Sequence, residues 1–293
     1  FEQLKQQLGP REWRGSGDTE IIVEAFATWG VEAALKKFIG MFALAAYNVQ
    51  TAQLWLARDR LGIKPLYYGW AGDQFVFSSE LTALRSCQEL DLDRDALASY
   101  LRHGYVPAPH SVYTSMHKLM PGHLCRIDTK TLIRTALPPT QPYWSLQDHA
   151  VETAMTEQEA EQTLLGLLRE AVGDRLVADV PLGAFLSGGY DSSLVSALMQ
   201  EASDTTTKAF TIGFDDARYN EAQHAKEIAA HLGTQHTELY VAEADLLNAV
   251  DQLPALCDEP FADSSILPTY LVSHLARRDV TVALSGDGGD ELF

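Results

Sequence analysis

Basic residues are in short supply. Lys and Arg number 22 against 40 Asp and Glu, a formal net charge of -18 with a pI near 4.8 over 293 residues. So acidic a surface repels nucleic acid and anionic membranes, and neither is expected as a partner. Any phosphate site must then be built locally, from backbone N–H groups, metal ions or a few basic residues. Cysteine is scarcer still: Cys87, Cys125 and Cys257 are far apart and odd in number. That excludes a disulfide framework and metal-ligand spacing, and it fits a reducing, cytoplasmic setting with each thiol read as a small buried apolar residue. There is no signal peptide, and no apolar run reaches the roughly 20 residues of a membrane span. An initiator Met is also missing. The chain opens in a helix-like segment and stops at Asp290-Glu291-Leu292-Phe293, directly after a strand, so both ends are read as internal to a longer protein. Two phosphate signatures are absent as well. No Gly-Lys-Ser/Thr follows a glycine group, and no Gly-x-Gly-x-x-Gly occurs, which excludes a Walker loop and a dinucleotide fingerprint.

What is present suits a soluble protein of about two domains, with 46% hydrophobic and 21% charged residues. No repeat is visible. Three prolines within Leu137-Pro138-Pro139-Thr140-Gln141-Pro142 predict an extended linker, and we place the domains at 1–145 and 146–293. In the first half, Asp18 is a candidate N-cap for a helix over 20–29 that Gly30 ends, and a short helix follows over 31–38. Strand patterns over 41–49, 54–58, 65–70 and 74–79 predict an antiparallel meander in a layered α+β domain. The apolar run 41–46 reads as a strand buried on both faces. In the second half, helical and strand patterns alternate: helix 157–176, strand 180–186, helix 192–200, strand 208–214, helix 220–232, strand 237–241, helical stretches over 242–253 and 264–277, and strand 280–284. Such alternation predicts βαβ units on a parallel sheet, with ligands at the carboxyl ends of the strands.

Two loops leave such strand ends. Ser187-Gly188-Gly189-Tyr190-Asp191-Ser192-Ser193 offers close backbone approach, three hydroxyls and a helix N-terminus, a cradle for pyrophosphate. Asp191 is acidic in a place built for anions, which makes sense if it ligates a Mg²⁺ shared with phosphates. Ser285-Gly286-Asp287-Gly288-Gly289-Asp290-Glu291 repeats the logic, with Asp290 as the second Mg²⁺ ligand. Either loop alone also fits a tight glycine turn; two on one parallel sheet fit a site better.

The first loop resembles the pyrophosphate loop of N-type ATP pyrophosphatases, and with the second it resembles the asparagine synthetase family. Asp258-Glu259-Pro260-Phe261-Ala262-Asp263-Ser264-Ser265 is similar to the segment that borders the substrate side of that family's cleft. Gly17-Asp18-Thr19-Glu20, Gly40-Met41-Phe42-Ala43 and Arg58-Asp59-Arg60-Leu61-Gly62-Ile63-Lys64-Pro65-Leu66-Tyr67-Tyr68 resemble the later part of a class II glutaminase domain. The resemblance implies an N-terminal-nucleophile type αββα domain followed by an α/β ATP-pyrophosphatase-like domain. It implies glutamine, ATP with Mg²⁺, and aspartate or another carboxylate as the molecules bound. Leu186, Ser187, Gly188, Gly189, Asp191, Ser192, Ile212, Ser285 and Gly286 would contact ATP; Asp191 and Asp290 would hold Mg²⁺; Asp287 would act at the acyl-adenylate; Asp18 would bind the glutamine α-amino group.

The resemblance also places the glutaminase nucleophile, its oxyanion loops and a synthetase general acid/base Lys outside this chain, so no glutaminase activity is expected of it alone. Relatives that amidate a sugar or peptide carboxylate, or close a β-lactam ring, remain alternatives. So does a non-catalytic module, while a tRNA-thiolating pyrophosphatase is disfavoured by the acidic charge and the lack of catalytic cysteines. A homodimer is compatible with all of these. Among the other residues, Arg58 and Asp59 read as a surface ion pair and Tyr67 and Tyr68 as packing residues. The helix face over 161–170 reads as solvent-exposed. His103, His117, His123, His224, His231 and His236 read as solvated or structural, and Tyr190 as packed under the first loop or narrowing it.

Overall fold

The computed structural model describes residues 2–86, 88–133, 136–151, 154–214 and 220–290. Cys87 and Glu291 lie outside the described residues. The chain divides into two compact units: Phe1–Val151 with Cys257–Ala262, and Glu152–Leu256 with Asp263–Phe293.

Unit 1 runs α1 (Glu2–Leu8), α2 (Asp18–Trp29), α3 (Val31–Lys37), β1 (Ala43–Asn48), β2 (Gln53–Arg58), β3 (Tyr67–Ala71), β4 (Gln74–Ser78), α4 (Leu81–Arg85), α5 (Arg94–His103), β5 (Met116–Lys118), β6 (His123–Asp128) and β7 (Thr140–Pro142). Its strands form two antiparallel sheets, ordered β1-β2-β6-β7 and β4-β3-β5. The alternation of β2 explains how they stack. Trp55 and Ala57 point to the helices, where they meet Ile21, Ala25, Leu35 and Phe38. Leu56, on the opposite face, joins Cys125, Ile127, Tyr68 and Leu119 between the sheets. The far face of the second sheet, through Tyr67, Ala71 and Met116, closes on Leu81 and Leu84 of α4. The layers are helix, sheet, sheet, helix. Burying a side chain such as Leu56 completely is worth about 1.5–3 kcal/mol.

Three expectations are corrected. Burial on both faces belongs to β2, not to the run 41–46: Met41 is exposed, and β1 is an edge strand whose residues are at most half-buried. The meander is not one sheet, because the chain leaves the first sheet after β2 and enters the second at β3. Finally, the proline-rich stretch is not a free linker. Thr140–Pro142 pairs with His123–Cys125 as an edge strand, where a proline costs no ladder bond on its solvent side.

The sheet-to-sheet crossing is held by Arg58 and Asp59. Asp59 is 1% exposed and accepts from the backbone N–H groups of Phe42, Ile63 and Lys64 at 3.2, 2.9 and 2.9 Å. Arg58 donates from its three nitrogens to the carbonyls of Lys64, Leu119 and Gly62. The pair is therefore not a surface ion pair; each member satisfies backbone groups that the crossing would leave bare. Burial lowers the Arg58 pKa, opposed by the Asp59 carboxylate. Asp258 and Glu259 do similar work. Asp258 accepts from the N–H groups of Leu81 and Thr82 at 2.6 and 3.0 Å, capping α4 where Glu80 does not. Glu259 accepts from Val112 N and pairs closely with Lys118.

Unit 2 runs α6 (Glu157–Arg175), β8 (Leu182–Phe185), α7 (Tyr190–Ala202), β9 (Lys208–Phe214), α8 (Ala222–Leu232), β10 (Gln235–Val241), α9 (Glu243–Val250), α10 (Leu253–Leu256), α11 (Ile266–Ala276) and β11 (Val282–Leu284). A capping box between Thr156 and Glu159 starts α6, and the 161–170 stretch is largely exposed. The sheet is wholly parallel, ordered β10-β9-β8-β11. Ala184 and Ala209 lie opposite each other and face α6, α7 and α8, while Phe210 on the reverse face packs on Val272 and Leu275 of α11.

Asp59→Ala leaves three N–H groups of part-buried bonds without their acceptor. Urea unfolding should show a loss of about 3–5 kcal/mol, with Asp59→Asn, which keeps one acceptor oxygen, in between; a loss below about 1 kcal/mol would remove the loop-holding role.

Candidate functional site

The order of the unit 2 sheet places the site. The chain builds β8, β9 and β10 outward in one direction and then returns to lay β11 on the other side of β8. A reversal of this kind opens a crevice beyond the carboxyl ends of the two strands where it occurs. Both glycine loops leave from there, 187–193 after β8 and 285–290 after β11.

In the first loop Gly188 has φ +93, and a Cβ on it would come within 3.2 Å of the Ala225 nitrogen at the start of α8. Dihedral and crowding both require glycine. Gly189 is the N-cap of α7 and has no side chain to bond the free N–H groups of the first turn. Those groups and the positive end of the helix dipole stay available to an anion. The hydroxyls organise the loop itself. Ser192 Oγ accepts from Ser187 N at 3.2 Å, lies 2.9 Å from Ser187 Oγ and donates to Gly189 O at 3.2 Å. Ser193 Oγ donates to Gly189 O at 2.6 Å. Ser192 is buried and Ser187 exposed, so Ser192 shapes the cradle and Ser187 presents a hydroxyl to it.

The second loop packs onto the first. A Cβ on Gly286 would fall 2.7 Å from Ser192 N, and one on Gly289 would fall 2.4–2.7 Å from the carboxyl atoms of Asp191. Against the backbone nitrogen of Ser192 nothing can yield, so Gly286 must be glycine for the loops to meet, whereas a side chain at Gly289 would displace the Asp191 carboxylate from its place. Ser285 Oγ donates to Asp287 Oδ2 at 2.9 Å, and Asp287 and Asp290 are exposed. The structure therefore brings Ser187, Gly188, Gly189, Asp191, Ser192, Ser285, Gly286, Asp287 and Asp290 to one end of the sheet. Leu186 and Ile212 stand at the same end, but Leu186 packs its side chain on Ala209, Ala225 and Ala229, and Ile212 packs with Phe210 in the α11 core.

Asp18 belongs to unit 1. It is not an N-cap: Gly17 holds that place, without a side-chain cap, and Asp18 is exposed in the first turn of α2, where a carboxylate suits the helix dipole. Tyr190 is 97% exposed and does not pack under its loop. Cys125 is buried, and burial pushes its thiol up to about 12, which agrees with an inert packing residue.

Sequence reasoning missed Thr211, and of its two readings of His236, solvated or structural, the structure shows the structural one. Thr211 is 2% exposed and donates from Oγ1 to the Leu186 carbonyl, the last of the strand before the first loop, while its oxygen lies 2.7 Å from His236 Nε2. The His236 side chain is 9% exposed, and burial holds its pKa below the usual value against the raising effect of Glu238, 3.7 Å from Nδ1. The available signal was one hydroxyl inside the otherwise apolar strand Lys208–Phe214.

Among the described residues, no three His, Cys, Asp or Glu side chains converge as a metal cage. Mg²⁺ takes one or two carboxylates and fills its shell with water and substrate phosphate oxygens. Asp191, with the backbone of Gly289 against its carboxylate and Asp290 next in the chain, is a donor set of that kind.

Comparison with known proteins agrees with this arrangement. Residues 1–144 match the Glutamine amidotransferase domain family and residues 163–293 the Asparagine synthase family. The chain is 37% identical over 99% of its length to putative asparagine synthetase [glutamine-hydrolyzing] 2 of Methanocaldococcus jannaschii, covering 56% of that protein. It is 34% identical over 99% of its length to asparagine synthetase [glutamine-hydrolyzing] 1 of Bacillus subtilis, covering 45% of that protein. The chain thus spans about half the length of the curated relatives it matches. Among solved structures, the glutamine phosphoribosylpyrophosphate amidotransferase of B. subtilis overlaps 86% of this chain and 70% of its own at 12% identity and a TM-score of 0.37, too distant a likeness to inform the fold. With an antiparallel two-sheet amidotransferase domain ahead of a parallel-sheet ATP-pyrophosphatase-like domain, the chain belongs to the asparagine synthetase family.

Proposed function

We propose that this chain is the core of a glutamine-dependent amide ligase that converts aspartate, ATP and glutamine to asparagine, AMP, pyrophosphate and glutamate through an acyl-adenylate. The observation that carries the reading is the meeting of two glycine-and-carboxylate loops at the β8–β11 crevice, with Gly286 and Gly289 against the first turn of α7. Relatives named as glutamine-hydrolysing asparagine synthetases match this chain over 99% of its length.

The chemistry requires a carboxylate to approach an α-phosphate that already carries negative charge. The first-turn N–H groups of α7 and the Ser187 hydroxyl lie where they offset charge on the departing pyrophosphate. Ser192 keeps the loop in that shape, and Gly188 and Gly189 keep side chains out of it. Ser285 and Gly286 contact the nucleotide, and Ser285 orients Asp287 toward the acyl-adenylate. Asp191 and Asp290 hold Mg²⁺, which neutralises phosphate charge when bound. Asp18, exposed at the start of α2, receives the α-amino group of glutamine in a charge-assisted contact.

Mg-ATP should raise the melting temperature of the chain, and by calorimetric titration Asp191→Asn should weaken it at least about tenfold. Gly286→Ala should weaken the binding at least about tenfold while leaving the circular dichroism unchanged, because its methyl group would overlap the backbone nitrogen of Ser192. No response of the unsubstituted chain to Mg-ATP would end the nucleotide-site reading. ATP–pyrophosphate exchange in a full-length protein carrying this chain should depend on aspartate; exchange indifferent to aspartate would point to another acceptor carboxylate.

A further inference from the structure

The parallel ladder between β8 and β9 ends one residue before the first loop. Leu186 N donates to Phe210 O at 3.0 Å, the last backbone bond of the ladder. The carbonyl of the same residue is held by a side chain instead, Thr211 Oγ1. That carbonyl shares its peptide plane with Ser187 N, which donates to Ser192 Oγ, the atom that ties together Ser187 Oγ and Gly189 O. Rotating the Leu186–Ser187 peptide would therefore break the loop's internal bonds as well as the bond to Thr211.

A threonine hydroxyl has one hydrogen. With that hydrogen on the Leu186 carbonyl, the oxygen faces His236 Nε2 as acceptor, so Nε2 carries a ring proton. The hydroxyl is thus clamped from both sides in a nearly dry place. The brace thus runs from the loop through Thr211 of β9 to His236 of β10.

We infer that Thr211, backed by His236, is a positioning residue for the nucleotide loop, fixing the Leu186–Ser187 peptide plane so that the 187–193 cradle is formed before ligand arrives. The inference deepens the nucleotide-site reading and rests on it for its consequence in binding. Its structural half stands apart and is testable without nucleotide.

Three variants and two measurements test it. Thr211→Val keeps size and burial but removes the hydroxyl, Thr211→Ser restores it, and His236→Leu removes the backing group. In amide hydrogen exchange without nucleotide, the peptide covering 186–193 should exchange about tenfold faster in Thr211→Val and near the unsubstituted rate in Thr211→Ser. In Mg-ATP titration below the melting temperature, Thr211→Val should bind about tenfold more weakly, Thr211→Ser within about threefold of the unsubstituted chain, and His236→Leu between them. A purely structural threonine would lower the melting temperature of Thr211→Val yet leave loop exchange and affinity alone, and that result overturns the inference. So does a Thr211→Ser chain as weak as Thr211→Val. An unsubstituted chain that ignores Mg-ATP removes the nucleotide reading and this role in binding together; unchanged affinity and exchange in Thr211→Val, with the unsubstituted chain binding normally, removes the brace alone.

Discussion

The site depends on a backbone contact that only glycine permits. At Gly286 the second loop lies against the first turn of α7 so closely that a Cβ would overlap Ser192 N, and at Gly289 a Cβ would push the Asp191 carboxylate aside. This contact makes one crevice out of two strand ends. It presses the Asp191 carboxylate against the backbone beside Asp290, concentrating negative charge near the uncapped N–H groups of a helix. Such a pairing of acid and anion cradle is what the proposed Mg-ATP site would need in a chain of net charge -18. The brace from Thr211 to the Leu186 carbonyl works in the same way, replacing a ladder bond that geometry no longer supplies with one from a side chain.

Unit 1 meets a comparable difficulty elsewhere. A chain that passes from one sheet to the next must turn through the interior, where bare backbone groups cost about 1–3 kcal/mol each. Asp59 and Arg58 absorb six of them between them, three N–H groups and three carbonyls. Asp258 and Glu259, far along the chain, close α4 and the turn at Val112 in the same manner. Arg58 and Asp59, a surface ion pair in a linear reading, are here the partners of main-chain groups at the sheet crossing.

The readings that held depended on local physics. Helices with clear stops, such as α8 ending at Gly233 in the left-handed region, and buried strands such as Lys208–Phe214 follow from periodicity and end signals over a few residues. The βαβ alternation, and with it the parallel sheet, follows from their order. The errors came where a partner distant in sequence decides. The run 41–46 is apolar enough for an interior strand, but β1 has a neighbour on one side only. Asp59 looks exposed because its acceptor role depends on Phe42, Ile63 and Lys64 meeting in one turn. Thr140–Pro142 looks like a linker because its pairing with β6 is not local.

The sequence by itself determined the pieces of the site: two glycine loops with carboxylates at strand ends, and the family they resemble. These are legible because they depend on residue type and short spacing. Tertiary structure decided that the loops touch, which requires β11 to return beside β8 rather than continue the sheet at β10. It also decided that Leu186 turns its side chain to the core, and that Thr211 and His236 stand behind the loop. Hydrogen bonds between residues 25 positions apart leave no periodic trace in a chain. Only the sheet register that lays β8, β9 and β10 side by side brings those groups within reach.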